Sequence, residues 1–266
     1  MEDAVIVKNL NFKYGNIVIF NNLNLEIKKN KITTIIGPNG SGKSTLIKIL
    51  TGLLKGNGYI KINDYLLLKD NLNDIRKTIG VVFENPDNQF VAQTVMDDIA
   101  FTLENMNYNN KDIRKKVEEI SSYLGIYDIL ESNPHSLSGG QKQLVALASA
   151  LVHDPKLLIL DEAFTMLDPL DKDKIYNILI SLKDITIINI THDMEETLFS
   201  DEIIVMNEGQ IVLKGPKEKI YLEEKVLSSL GLEQPFMVLL SQRLIFYNLI
   251  DHIIYDMEEM VDVLWK

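Results

Sequence analysis

One run of nine residues, Gly37-Pro-Asn-Gly-Ser-Gly-Lys-Ser-Thr45, constrains this chain more than any other feature. Its spacing is that of a loop whose backbone N–H groups close around a polyphosphate, with glycines where a Cβ would block the approach. Such a loop has to leave a buried strand and enter a helix. Both flanks are present: Lys31 to Ile36 is a β-branched run, and Ser44 to Leu50 has helical character. Gly37, Gly40 and Gly42 supply the conformational freedom, and Asn39, Ser41 and Thr45 complete the lining. Lys43 is placed to reach the outer phosphates of a nucleotide such as ATP, and the Ser44 hydroxyl suits Mg²⁺.

Further along, Leu158-Ile-Leu-Asp161-Glu162 is an apolar strand that ends in two carboxylates. Alone that pattern is common, and a solvated turn would explain it. Downstream of a phosphate loop it reads differently: Asp161 suits the magnesium shell, and Glu162 suits a general base or the positioner of an attacking water. Leu137-Ser-Gly-Gly-Gln141 precedes a helix, so Ser138, Gly139, Gly140 and Gln141 present N–H groups and the positive end of a helix dipole. Ser138 is also a good N-cap, and the two readings are compatible. His192, after the strand Ile187 to Thr191, lies at a strand end; a lone histidine is often incidental, but downstream of the Asp-Glu strand an imidazole there can hydrogen-bond a γ-phosphate. Asp168, six residues past Glu162, suits a subunit seam and also a helix cap ahead of Pro169. Tyr14 offers a ring for adenine, with an aromatic packed in a β-hairpin core as the alternative.

The strands Leu157 to Asp161, Ile185 to Thr191 and Ile203 to Met206 alternate with helices at Leu170 to Lys183 and Met194 to Phe199, which predicts a mainly parallel sheet covered by helices. Val5 to Leu10 and Leu23 to Ile27 alternate like strands around a Gly15-Asn16 turn. Ile79 to Phe83 is a further buried strand, Thr94 to Leu130 reads as an inserted helical lobe interrupted at Asn105 to Asn110, and Gly139 to His153 as one helix. Asn207-Glu-Gly-Gln210 is a hairpin turn. Beyond Gly215-Pro216 only helical patterns follow. Pro235 to Ile250 is apolar almost all round, which predicts burial on several sides; Ile253, Met257, Met260, Val261 and Leu264 form one stripe. There is no internal repeat.

Composition narrows the partners. At 266 residues with 46% hydrophobic side chains the chain can bury a substantial core. A formal charge of -11 argues against a nucleic-acid backbone binder, so no nucleic-acid partner is expected. Without cysteine there are neither disulfides nor thiolate metal sites. Met-Glu-Asp-Ala at the start lacks a basic signal region, and the apolar runs are too short to span a bilayer.

Taken together, these motifs resemble those of ATP-binding-cassette (ABC) transporter ATPases from about Ala4 to Gly215, five of them in the family's order. The likeness is greatest to the energy-coupling-factor (ECF) type, including its cobalt and nickel branch, through Phe83-Glu-Asn-Pro-Asp-Asn-Gln-Phe90, Val95-Met-Asp-Asp-Ile-Ala-Phe101, Met166-Leu-Asp-Pro169 and Gly231-Leu-Glu-Gln-Pro-Phe236. The resemblance implies an α/β P-loop fold with an antiparallel β lobe, a helical subdomain inserted at about 85–153, and a helical appendage over 216–266 after an ATPase domain of 1–215. It implies that the Ser138–Gln141 signature faces ATP held by a second ABC ATPase subunit, the same chain or a paralogue, with the appendage helping to hold the pair. It also implies a membrane-embedded coupling protein, a separate membrane substrate-binding subunit, cargo such as vitamins or transition-metal ions, and a place on the cytoplasmic face of the membrane. A soluble ABC ATPase of translation or DNA repair typically carries two cassettes or a long coiled coil; neither is present. An ATPase of another transporter class is distinguished by its membrane partner. Two positions depart from the family: Glu84 stands where Gln is usual, which adds charge beside the triphosphate and the Mg²⁺, and Leu144 stands where Arg is common.

Overall fold

The structure is a computed structural model and describes residues 2–165 and 167–265. Val5 and Val7 are buried on one face of β1 (Asp3–Tyr14), and an irregularity at Asn9 shifts the register so that Leu10 is the next buried residue. The strand pairs antiparallel with β2 (Ile17–Lys28) across the Gly15-Asn16 turn, with several register shifts along the pair. β3 (Ile32–Ile36) enters a second sheet, whereas β4 (Asn57–Ile62) and β5 (Tyr65–Leu66) complete the first, whose order is β2-β1-β4-β5. The sequence reading missed β4 and β5, which are short and begin at Asn57-Gly58.

The second sheet adds β6 (Ile79–Phe83), β7 (Leu157–Asp161), β8 (Thr186–Thr191), β9 (Glu202–Asn207) and β10 (Gln210–Gly215) in the order β10-β9-β3-β8-β7-β6. Every pairing is parallel except that of β9 with β10, joined by the expected hairpin. β8 is buried at every position, as a strand covered on both faces must be. Registers Ile36↔Thr191, Asp161↔Ile190 and Phe83↔Asp161 bring the carboxyl ends of β3, β8, β7 and β6 to one level. That edge is where ligands bind in sheets of this kind.

α1 (Lys43–Leu50) leaves the glycine-rich loop, and α2 (Leu72–Arg76) precedes β6. Between β6 and β7 the chain makes α3 (Val95–Asn105), α4 (Asn110–Tyr123) and α5 (Gly139–Leu151), the expected inserted lobe. Thr94 caps α3 and Asn109 caps α4, so the polar interruption marks a real boundary. α6 (Pro169–Ser181) follows β7. The segment from Met194 is one turn of 3-10 helix, Met194–Thr197, and not the longer helix expected; the chain must re-enter the sheet at Glu202.

The appendage holds α7 (Lys217–Ile220), α8 (Glu224–Ser229), α9 (Phe236–Phe246) and α10 (Met257–Leu264). Leu227, Leu232 and Val238 share one core cluster with Ile36, Ile203 and Val205 of the sheet and with Met194 of the 3-10 turn. Each such burial stabilises by about 1.5–3 kcal/mol. The expected burial of the 235–250 helix on several sides does not hold within one copy. Only Met237, Val238 and Ser241 of α9 are buried, while Phe246 is 76% and Tyr247 67% exposed, because none of the described residues covers that face. The following stripe is likewise half used: Met260 is buried, Met257, Val261 and Leu264 are exposed, and Ile253 lies ahead of α10.

Candidate nucleotide-binding site

Gly40 and Gly42 take φ of +82° and +105°, which only glycine adopts without strain. A Cβ on Gly37 would stand 2.0 Å from the Met206 carbonyl oxygen, and one on Gly42 2.8 Å from the Phe20 ring. The loop is therefore clamped between β2 and the β9–β10 hairpin, and Gly209 N–H donates to the Ser41 carbonyl at 3.0 Å. The clamped loop encloses a cavity of about 180 Å³ lined by Asn39, Gly40, Ser41, Gly42, Lys43, Ser44 and Thr45, together with Ile19 and Glu162. Lys43 is buried and its Nζ donates to the Gly37 carbonyl at 2.7 Å and the Pro38 carbonyl at 3.2 Å. Burial holds its ammonium below the ordinary value, against the opposing pull of Glu162 and Asp161. An anion in the loop offers that charge a stronger partner than two carbonyls.

Asp161 ends β7, and its Oδ1 is buried with no hydrogen-bond partner. Its pKa is pushed up to about 6 by burial first and by Glu162 next; Lys48 opposes, Glu84 adds to the rise and Lys43 opposes. A carboxylate oxygen left unpaired among like charges fits a cation. Among the described residues no group of three or more His, Cys, Asp or Glu is arranged to hold a metal ion. A divalent ion here would need ligands beyond Asp161, from hydroxyl, phosphate and water oxygens, as Mg²⁺ commonly takes.

Glu162 has φ +51°, a left-handed conformation rare for a residue with a Cβ, and its N–H donates to the Ile190 carbonyl at 2.8 Å. The strain turns its side chain to the cavity and to His192, whose Nδ1 lies 2.8 Å from Glu162 Oε2. An ionised carboxylate only accepts, so the bond puts the ring proton on Nδ1 and leaves Nε2 free.

Ser138 caps α5 in a reciprocal box: its Oγ accepts from Gln141 N–H at 3.3 Å, and Gln141 Oε1 accepts from Ser138 N–H at 3.1 Å. Ser138 and Gly139 are exposed, while Gly140 packs so closely on Asp171 that a Cβ would stand 2.0 Å from its carboxylate. None of Leu137 to Gln141 lines the phosphate cavity of its own copy. Asp168 caps α6 by accepting from Asp171 N–H at 2.9 Å, as the cap reading expected. Met166, part of the same sequence motif, lies outside the described residues. Tyr14 is 44% exposed and meets Phe12 edge-on at 4.9 Å; it is not part of the cavity lining, where Ile19 stands instead.

Glu84 is exposed beyond the end of β6 and acts on Asp161 through its charge. Several residues around it escaped sequence reasoning because only folding brings their partners near. Gln89 holds the strand end, accepting from Phe83 N–H at 3.0 Å and donating to the Val81 carbonyl at 3.2 Å. Asp87 accepts from Lys142 at 2.9 Å and lies 3.1 Å from His135 Nδ1, tying the Glu84 loop to the first turn of α5. Those two partners, Lys142 first, hold the Asp87 carboxyl below its ordinary value. Leu144 packs, half-buried, against the main core cluster. A groove of about 220 Å³ between β6 and α3 has Val91, Phe101 and Thr102 on its walls and Asp98 at its floor. Asp98 fixes that groove by accepting from the N–H groups of Val91 at 2.7 Å and Ala92 at 3.1 Å.

Comparison with known proteins gives a consistent neighbourhood. The family described as ABC transporter matches residues 20–165. An energy-coupling factor transporter ATP-binding protein EcfA of Pediococcus pentosaceus is 44% identical over 243 residues, covering 89% of this chain and 87% of its own length. The corresponding protein EcfA1 of Mycoplasmopsis synoviae is 45% identical over 228 residues, covering 84% of this chain and 86% of its own. Among solved structures, cbiO1 from Clostridium perfringens, described as part of the ABC transporter complex cbiONQ, superposes with a TM-score of 0.78 at 34% identity. That match covers 86% of this chain and 94% of the other.

Proposed function

This chain belongs to the ABC transporter ATPases, in their energy-coupling-factor branch, and from that premise we propose how its residues bind ATP, hydrolyse it and power a membrane importer. Lys43 and the N–H groups of Gly40 to Thr45 take the β- and γ-phosphates. Ser44 and Asp161 hold Mg²⁺ with Glu84 nearby, and the ion supplies charge neutralisation across the outer phosphates. Glu162 orients a water toward the γ-phosphorus and takes its proton as the bond to ADP breaks, which leaves ADP and inorganic phosphate. His192, fixed by Glu162 through Nδ1, directs Nε2 to the γ-phosphate. Ser138 to Gln141 of a second ATPase subunit close the site from outside, with Asp168 at the seam, and Tyr14 stacks near the adenine. The observation that carries this reading is the 2.8 Å contact between His192 and Glu162 at the mouth of the Lys43 cavity.

The groove bearing exposed Val91 and Phe101 suits a helix of a membrane-embedded coupling protein. Among the described residues no helix is long and apolar enough to cross a membrane, so attachment to the cytoplasmic face runs through that partner. A separate membrane subunit carries the cargo, a vitamin or a transition-metal ion. The test is to isolate the tagged chain from its own membranes and identify what copurifies. The reading expects a second ATPase, a coupling protein and a small substrate-binding membrane protein. Recovery with the permease of another importer class contradicts the branch assignment.

A further inference from the structure

The short turn after His192 is held from two sides. On the sheet side Lys172 of α6 reaches Asp193 at 3.0 Å, and Asn189 Nδ2 donates to buried Glu196 at 3.1 Å. On the other side every tie runs to the appendage. Tyr221 O–H and Thr197 Oγ1 are 2.6 Å apart and both buried; because the Thr197 hydroxyl donates to the Met194 carbonyl, the tyrosine is the donor. Lys217 Nζ donates to the Leu198 carbonyl, and Gln234 Nε2 secures the Tyr221 carbonyl from behind. The most exposed of these ties joins Phe236 N–H to Glu195 Oε1 at 2.6 Å.

That last bond is unusual in its chemistry. Phe236 N–H opens α9, and Pro235, at the capping position, provides no side-chain acceptor. A carboxylate from a different element fills the place, where the helix dipole favours negative charge. Met194 beside it packs in the same cluster as Ile220, Tyr221, Leu227 and Val238. Between the turn and the Gly231 to Gln234 segment lies an open hollow of about 480 Å³ that His192 and Glu195 both border. The histidine therefore has room to move, and its turn is fastened to the appendage by a few identifiable bonds.

We propose that Glu195 is a positioning residue for His192, coupling the placement of the appendage to the rate of ATP hydrolysis. The appendage would then do more than pair subunits: displacing α9 pulls on Glu195 and, three residues back along the turn, on His192 and its contact with Glu162. The proposal rests on the assignment of Glu162 and His192 to hydrolysis.

The assembled complex carries the test, with phosphate release measured against ATP concentration. Glu195→Ala removes the acceptor at an exposed position and should lower kcat roughly fivefold, with KM for ATP and recovery of the complex unchanged. Glu195→Gln keeps an acceptor and should retain most of the rate. Tyr221→Phe, which keeps the packed ring and loses the bond to Thr197, should show the same split between kcat and KM. A wild-type kcat in Glu195→Ala overturns the proposal, as does an equal fall in the Ala and Gln variants or a loss that merely follows disassembly. If the wild-type complex releases no phosphate, the hydrolytic reading itself fails; an active wild type with an indifferent Glu195→Ala removes only this inference.

Discussion

Glu196 shows most plainly what single residues contribute. It is fully buried, bonded to Asn189 through one oxygen, and its Oε1 has no hydrogen-bond partner although Lys172 stands 3.7 Å away. Burial raises its pKa above the ordinary 4.5, so the folded chain binds this proton more tightly than the unfolded chain. Its contribution to stability is complete below pH 4.5 and is lost as pH rises through the folded value. Glu196→Gln removes the titration and should gain on wild type as the pH is raised from about 5 to about 8. Melting temperatures across that range check it; a constant gap between the two proteins contradicts it. The lining of the cavity at the start of α1 was legible in the sequence because one loop of consecutive positions supplies most of it. Glu196, Gln89 and Asp87 were not, since each depends on a partner supplied by another element.

Elements were legible where one physical cause dominates. β6 and β7 fall at the expected residues because buried parallel strands leave uninterrupted apolar runs. β4, β5 and α2 lack such a run and were missed. The β9–β10 hairpin was expected from Glu208-Gly209, but its second duty was not: Gly209 braces the phosphate loop. A Cβ there would stand 1.7 Å from the Ile19 carbonyl oxygen, at a φ of +72°. Gly209→Ala should cost about 2 kcal/mol or more of stability and weaken ATP binding as well, which calorimetry can follow separately. An intact nucleotide affinity would show that the brace is idle. At the start of α5, Ser138→Arg should leave ATP binding by the isolated chain nearly unchanged, since Ser138 is outside its own cavity. Phosphate release by the assembled complex should fall on the order of 10²-fold. Loss of ATP binding in the isolated chain would contradict a signature that serves the neighbouring subunit.

At the scale of the whole molecule, the appendage has two surfaces with different duties. Residues through Val238 seal the sheet, so removing everything after Lys225 would uncover Ile36, Ile203 and Val205 and invite aggregation. The outer surface, with Phe246, Leu249 and Trp265 at 76%, 60% and 82% exposure, is available to a second subunit. Asp256, Glu258, Glu259 and Asp262 beside it make an anionic bilayer a poor alternative. Phe246→Asp combined with Leu249→Asp should leave the fold and ATP binding intact and weaken nucleotide-free pairing at least tenfold, on the order of one well-placed interface anchor. Light scattering of the pair checks this, and unchanged pairing contradicts it. The sequence announced the apolar faces but not what covers them, because burial against another chain leaves the same pattern as burial against its own. The appendage, the loop and the signature all serve one proposed centre: Glu162 drives hydrolysis at the level where β3, β6, β7 and β8 end. Phosphate release by the assembled complex carrying Glu162→Gln measures that claim most directly: the account predicts retained ATP binding with a rate reduced on the order of 10²-fold, and a rate equal to wild type would contradict it.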